Sequence, residues 1–269
     1  MPMKVTDQPV ALKAALRRDA IRRSIEIAGH VSIAELKDRL GVSEVTIRDD
    51  LKHLEQEQTL TRIRGGAVAT RAGAVELPLE KTSTTNHAEK LAIATRAAST
   101  VRSGQTIIID VGSTTTELAK ALPRDLTDVV VITNGLNIAL LLESVPGISV
   151  IVTGGTLRPL QHSLVAPMGT LILSQLRADI AFIGCNGVDP THGFTNTNIP
   201  EAEIKQAMVK AAQSTVFLAD HDKIGRVASA FVSDAADADL LITDDGADEG
   251  ILRELRSRGL AIDLVAPIG

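Results

Sequence analysis

The residues with chemistry to offer cluster where short apolar runs end. Ile107-Ile108-Ile109-Asp110 leads into Val111-Gly112-Ser113-Thr114-Thr115-Thr116 and then into the helical run Glu117-Leu118-Ala119. A strand ends, Gly112 allows a tight turn, and four hydroxyl residues enter a helix. Backbone N–H groups at a helix N-terminus and Ser/Thr hydroxyls all donate towards an anion, so this is a good phosphate cradle. The same residues also suit a plain structural role, with Ser113 capping the helix and the threonines solvated, and the motif alone leaves both readings open. No lysine follows as a nucleotide P-loop requires, which argues against ATP.

Similar turns follow four other apolar runs: Thr133-Asn134-Gly135, Gly154-Gly155-Thr156, Gly184-Cys185-Asn186-Gly187 and Ala219-Asp220-His221-Asp222-Lys223. Open parallel sheets bind ligands at the carboxyl ends of their strands, so five such ends predict one composite pocket. Lys223 is the first charged partner for a phosphate and Arg158 the second, while Asn134, Asn186 and Asp220 suit sugar hydroxyls. Glu201 and Lys205 lie one helical turn apart, which fits either a surface ion pair or a place in the pocket. His162 and His221 are further candidates to line it, but neither has metal-ligand spacing with a second His or Cys, and no metal or cofactor is expected. For Cys185 the commoner state is a small buried thiol.

These turns must be positioned by the elements between them. The apolar runs are 106–110, 129–133, 148–154, 180–184, 215–220, 240–244 and 261–265, and helical segments such as 114–122, 201–212 and 250–258 fall between most of them. Short, nearly all-apolar strands alternating with helices predict an α/β domain with a mostly parallel sheet covered on both faces.

The N-terminal quarter has a different pattern. Ser32-Ile33-Ala34-Glu35 is a capping box that starts a helix, and Gly41 suits its end. Ser43 then caps a second helix, about Glu44 to Glu55, so the pair reads as a helix-turn-helix. Ile47, Leu51 and Leu54 share its inner face; the outer face carries Val45, Thr46, Arg48, Asp49 and Lys52, with Ser43 at its start. In a major groove, Arg48 suits guanine or phosphate, Val45 a thymine methyl and Asp49 cytosine N4. The spacing alone also fits an ordinary charged helix pair. Asp49 and Asp50 would repel phosphates unless they point at bases or into the protein. Residues 59–68 read as a hairpin, where Arg62 and Arg64 alternate just before Gly65-Gly66, a wing able to grip the DNA backbone or minor groove.

The chain has 269 residues, enough for two domains, and its 44% hydrophobic but 1% aromatic composition predicts aliphatic cores. The net charge of −5 is uneven: residues 1–66 carry +2 and the rest −7, which suits a site-specific DNA reader better than a general nucleic-acid binder. A single cysteine fits a reducing cytosol. The first residues lack the apolar core of a signal peptide, and the most apolar stretch, 138–152, is broken by Glu143, Pro146 and Gly147, so a cytoplasmic protein with no membrane partner is expected.

The ordered set Val42-Ser43, Thr46-Ile47-Arg48, Asp50-Leu51, Leu54-Glu55, Arg62 and Gly65-Gly66-Ala67 resembles the signature of the bacterial DeoR family of sugar-metabolism regulators. Two departures stand out: many members have a second arginine where this chain has Asp49, and glycine where it has Gln58. Asp110 with Gly112–Thr115, Thr133-Asn134, Gly154-Gly155 and Ala219-Asp220 with Lys223 resemble the effector domain of the same family. The resemblance implies a winged helix-turn-helix over 12–69, a linker over 70–88, and an effector domain over 89–269 with the fold of ribose-5-phosphate isomerase and the CoA transferases. It further implies a repressor that binds double-stranded operator DNA as a homo-oligomer, dimer or tetramer, and is released by a phosphorylated sugar or polyol. A sugar-phosphate isomerase is the alternative, because Asp245-Gly246-Ala247-Asp248-Glu249 resembles a catalytic motif of ribose-5-phosphate isomerases. No lysine follows it, however, and its acids also suit the start of a final helix.

Overall fold

The structure, a computed structural model, describes residues 8–28, 30–57, 60–63, 65–69 and 78–267. Arg64, Gln58 and residues 70–77 lie outside the described residues. The chain divides into two compact units, Met1–Glu76 and Leu77–Gly269.

The first unit runs α1 (Gln8–Ala28), β1 (His30–Ser32), α2 (Ile33–Leu40), α3 (Glu44–Gln56), β2 (Leu60–Ile63) and β3 (Gly66–Ala69). Local chemistry sets its boundaries. Ser32 Oγ accepts from Glu35 N at 3.1 Å while the Glu35 carboxylate takes Ser32 N at 3.2 Å, so the capping box forms as expected. Gly41, with φ of 65°, ends α2, and Ser43 caps α3 by accepting from Thr46 N. Ile47, Leu51 and Leu54 are buried with Ile21, Leu36, Leu60 and Ala67. The hairpin is one part of a three-stranded sheet of order β1-β3-β2, and β1 was not foreseen. Gly66 makes its close pairing possible, because a Cβ there would lie 2.1 Å from the carbonyl oxygen of Val31.

The two adjacent acids of α3 part company. Asp50 is 6% exposed and receives Arg17 Nε at 2.5 Å and Nη2 at 3.2 Å, which ties α3 to α1. Asp49 is exposed. Glu55 accepts from the backbone N of Arg62 at 2.9 Å and lies 3.8 Å from its guanidinium, anchoring the wing to α3.

The second unit begins with α4 (Leu79–Thr84) and α5 (His87–Ala98), so the stretch expected to be a linker carries helical structure from Leu79. It continues β4 (Thr106–Ile109), α6 (Ser113–Ala121), β5 (Val129–Thr133), α7 (Leu136–Leu142), β6 (Ile148–Val152), the hairpin β7 (Thr156–Arg158) and β8 (Ser163–Val165), α8 (Met168–Leu173) and β9 (Ala178–Gly184). There follow β10 (Gly187–Asp189), β11 (Gly193–Asn196), α9 (Ile199–Ala211), β12 (Ala212–Leu218), β13 (Ala230–Ser233), β14 (Leu240–Asp244), α10 (Glu249–Ser257) and β15 (Ala261–Val265). Seven strands form a parallel sheet of order β15-β14-β12-β9-β4-β5-β6. The chain builds outward from β4 to β6, then returns to β9 and builds the other way. The order therefore reverses between β4 and β9, where ligand crevices form in such sheets.

Alternation along the strands feeds two cores. Ile107, Ile109, Phe182 and Leu218 face a layer with α5, α6 and α7, whereas Ile108, Ala181, Ile183 and Phe217 face a layer with α9 and α10. The composition pointed to an aliphatic core, but Phe182, Phe194 and Phe217 are fully buried, and the rings of Phe194 and Phe217 stack with centroids 3.6 Å apart. Few aromatics are present, yet most sit at the centre.

Asp50→Ala is expected to lower stability by about 1.5–3 kcal/mol, the scale of hydrogen bonds to a charged group. Asp49→Ala should stay within about 0.5 kcal/mol, as exposed substitutions do. Urea unfolding of the two variants beside the parent reads the difference; equal losses would contradict the assignment of the two acids.

Candidate functional site

The second unit gathers its polar residues at the carboxyl ends of β4, β9, β12 and β14, which are neighbours in the sheet. Asp110, at the end of β4, is fully buried. Its Oδ2 accepts from Gly184 N at 3.1 Å, at the end of β9, and pairs closely with the Lys205 ammonium of α9. Burial raises the Asp110 pKa against the pull of Lys205. Its other oxygen, Oδ1, is buried without a hydrogen bond.

Beside it, α6 opens with an uncapped N-terminus. Its first helical hydrogen bond runs from Thr116 N to Gly112 O at 2.9 Å, and among the described residues no side chain caps the N–H groups of Ser113, Thr114 and Thr115. The four hydroxyls divide. Thr115 and Thr116 donate to Gly112 O at 3.1 and 2.6 Å, and Thr115 is fully buried, so its side chain faces inward. Among the described residues, the hydroxyls of Ser113 and Thr114 have no protein partner.

The other expected residues fall into distinct groups. Asn134 accepts from Val111 N at 2.9 Å and donates to Leu164 O at 3.3 Å, so this amide braces the β4–α6 turn. Gly154 and Gly155 turn β6 into the β7–β8 hairpin; at Gly155, with φ of 129°, a Cβ would strike the Val165 carbonyl. Glu201 and Lys205 do not form the surface pair their spacing allowed. Both are buried and each belongs to another partner: Lys205 to Asp110, and Glu201 to Arg158, with Ser163 Oγ donating to it at 2.8 Å. Arg158 is thus already neutralised. His162 lies outside the buried set, 2.8 Å from Glu80 of α4. Asn186 is exposed and accepts from Thr197 N at 3.0 Å.

The loop after β12 carries Lys223 and meets Lys90 of α5. Asp220 is buried and accepts from Asn86 at 3.2 Å, with the Lys90 ammonium 3.8 Å away. Lys223 is half-buried, and among the described residues its ammonium has no hydrogen-bond or ion-pair partner. It lies within electrostatic reach of Cys185, a half-buried thiol whose pKa burial pushes up to about 12, away from the reactive thiolate. Among the described residues no cluster of His, Cys, Asp and Glu could hold a metal ion, and no helix is long and apolar enough to cross a membrane.

Sequence reasoning missed Asp244. This buried carboxylate, at the end of β14, accepts from His221 N and faces His221 Nδ1, both at 2.7 Å. Gly246 leaves room for the ring, since a Cβ there would approach His221 Nδ1 to 3.1 Å. In the segment that resembles an isomerase motif, Asp248 caps α10 by accepting from Ile251 N at 3.0 Å, and Asp245, Asp248 and Glu249 are exposed. The neighbouring Asp244 and Gly246 seat a histidine. The signal lay in two turns at adjacent strand ends, too far apart in sequence for spacing to join them.

On the first unit, Val45, Arg48, Asp49 and Lys52 are exposed along α3, with Arg48 3.6 Å from Glu44. Ser43 and Thr46 share a hydroxyl contact of 2.9 Å at its start, and Arg62 is exposed on the wing.

Burial alone would lower the His221 pKa, but the hydrogen bond and charge of Asp244, then Asp222 and Asp220, outweigh it and raise it. A raised folded-state value means the protonated ring is favoured on folding. Its contribution to stability is present below the ordinary histidine pKa of about 6.5 and is lost as pH rises through the folded value. An NMR titration should find His221 above that ordinary value in the parent and lower in Asp244→Asn. Equal titration in both would contradict the pairing.

A family model described as the DeoR-like helix-turn-helix domain matches residues 17–72, and one described as the DeoR C terminal sensor domain matches residues 85–245. The chain is 34% identical over 248 residues to the HTH-type transcriptional regulator GolR of Listeria innocua serovar 6a, across 92% of this chain and 97% of that one. It is 28% identical over 253 residues to the glycerol-3-phosphate regulon repressor of Escherichia coli strain K12, across 94% and 100%. Ribose 5-phosphate isomerase A of Methanocaldococcus jannaschii superposes with a TM-score of 0.38 at 20% identity, over 52% of this chain and 55% of that one, a likeness that says nothing about activity. With a sensor-domain match over more than half its length and relatives aligned over nine tenths of it, the chain belongs to the DeoR family of helix-turn-helix transcriptional regulators and is a DNA-binding regulator.

Proposed function

We propose that this regulator represses a carbohydrate catabolic operon and leaves its operator when a phosphorylated sugar or polyol binds the second unit. The observation that carries this reading is the open N-terminus of α6. Its first three N–H groups, with the Ser113 and Thr114 hydroxyls, have no partner among the described residues and form a set of donors at the reversal of the sheet. Backbone donors and the helix dipole favour an anion there. Lys223 supplies the unpaired positive charge, in preference to Arg158, which Glu201 already neutralises. The buried Oδ1 of Asp110 is an acceptor suited to a hydroxyl of the sugar or polyol. The likeness to the glycerol-3-phosphate regulon repressor of Escherichia coli supports the class of operon.

On DNA, the outer face of α3 enters the major groove, where Arg48, Val45 and Asp49 read bases and Lys52 and the wing arginines hold the backbone. Asp49 accepts from cytosine N4, which gives this chain an operator preference distinct from that of members with arginine there. One such head reads only a few base pairs, so the protein acts in the cytoplasm as a homo-oligomer presenting paired heads about 34–36 Å apart or a multiple of that.

Two substitutions separate the roles of the units. With a duplex selected from a random pool, Arg48→Ala should weaken specific binding by roughly 5–150-fold, the worth of one good base contact. Lys223→Ala should bind that duplex like the parent yet no longer be released by any of a panel of phosphorylated sugars and polyols that releases the parent. Fluorescence anisotropy reads both. Unchanged release of Lys223→Ala, or loss of its DNA binding with Arg48→Ala unaffected, would overturn the assignment.

A further inference from the structure

The first helix of the second unit is held at its start by a residue of the β7–β8 hairpin and at its end by a lysine of α5. At its start, Glu80 lies 2.8 Å from His162, which turns the β7–β8 hairpin. At its end, the Lys90 ammonium donates to the carbonyl oxygens of Thr82 and Thr85, each at 2.7 Å. These belong to the last turn of a helix, where carbonyls lack helical partners. The same ammonium lies 3.8 Å from Asp220 Oδ2. Asn86, between α4 and α5, donates to Asp220 Oδ1 at 3.2 Å and to Asp222 Oδ2 at 2.9 Å. Along its length α4 also packs on α6, the helix with the open N-terminus.

Lys90 is 5% exposed, and a buried ammonium is tolerated only while oxygens surround it. Burial lowers its pKa against the opposing charge of Asp220. Its oxygens come from two places that sequence keeps far apart: the end of α4, and the loop 220–223 that carries Lys223. If that loop shifts, Asp220 cannot follow without either drawing Lys90 away from the α4 carbonyls or leaving it without its carboxylate. A displaced loop would therefore loosen the last turn of α4, and an element that can be held or released in this way is what coupling between sites requires.

We propose that Lys90 and Asn86 are positioning residues that clamp the Asp220–Lys223 loop to the last turn of α4, so that a phosphate arriving at the loop changes the hold on the helix through which the chain enters the sensing unit. The clamp rests on the reading above, in which the pocket takes a phosphate, and adds to it the route by which occupancy leaves the pocket. A purely structural staple would hold α4 equally with and without an anion.

Hydrogen exchange of the full chain, with and without inorganic phosphate, separates the two. Amides of residues 113–116 in α6 report occupancy of the cradle, and amides of residues 82–85 report the clamp. In the parent, phosphate should slow exchange in α6 and change exchange at 82–85 by about five-fold or more, the lower end of ordinary coupling. Asn86→Gly accepts the left-handed backbone of Asn86, with φ of 51°, while removing the amide. It should keep the α6 response and lose the α4 response; Lys90→Met, which retains the aliphatic stem, should do the same where it folds. A protected α6 with an indifferent α4, or an Asn86→Gly variant that responds like the parent, overturns the clamp and leaves the phosphate reading standing. Silence at both helices overturns the phosphate reading, and the clamp falls with it.

Discussion

At the point where the sheet reverses its order, one carboxylate holds three elements together. Asp110 ends β4, takes the amide that ends β9, and pairs with an ammonium from α9, with both charges buried. Losing either charge would strand the other in the interior, at a cost of about 3–5 kcal/mol. The pair therefore fixes the ends of β4 and β9 against α9 where the sheet reverses, and pre-organisation of that kind would spare a ligand bound there the expense of ordering the site. Around this pair the polar residues divide between those committed to the scaffold and those that are not. Asn134, Arg158, Glu201 and Asp220 are committed to protein partners; among the described residues, the first three α6 amides, the Ser113 and Thr114 hydroxyls and the Lys223 ammonium have none.

The DNA-reading unit obeys the same logic of sharing out charge. An acidic pair on a helix that approaches phosphates is tolerable because Asp50 is spent on Arg17 inside the unit, leaving Asp49 alone on the outer face. Glu55 likewise holds Arg62 at the root of the wing instead of repelling DNA. Part of the family signature over this stretch thus follows from electrostatics inside the unit.

Much of this was legible in the sequence where the physics is local. Caps name their own helices, so α2 and α3 were bounded by Ser32, Gly41 and Ser43. Buried parallel strands read as apolar runs, and β5, β14 and β15 begin and end where those runs do. What escaped was non-local or weakly patterned: the three-residue strands β7, β8 and β10, and α4 inside a polar stretch. Charge partners escaped most completely. Lys205 and Asp110 are 95 residues apart and Asn86 and Asp220 are 134 apart, whereas Glu201 and Lys205, at ideal helical spacing, ignore one another.

We propose that the second unit recognises a phosphate through the donors at the start of α6 that have no partner among the described residues. A thermal-shift screen of the full chain against phosphorylated sugars and polyols, each matched with its dephosphorylated form, tests it most directly. The account predicts stabilisation by at least one phosphorylated compound and none by its dephosphorylated partner, with the shift growing with concentration as mass action requires. Equal stabilisation by both members of every active pair would contradict it.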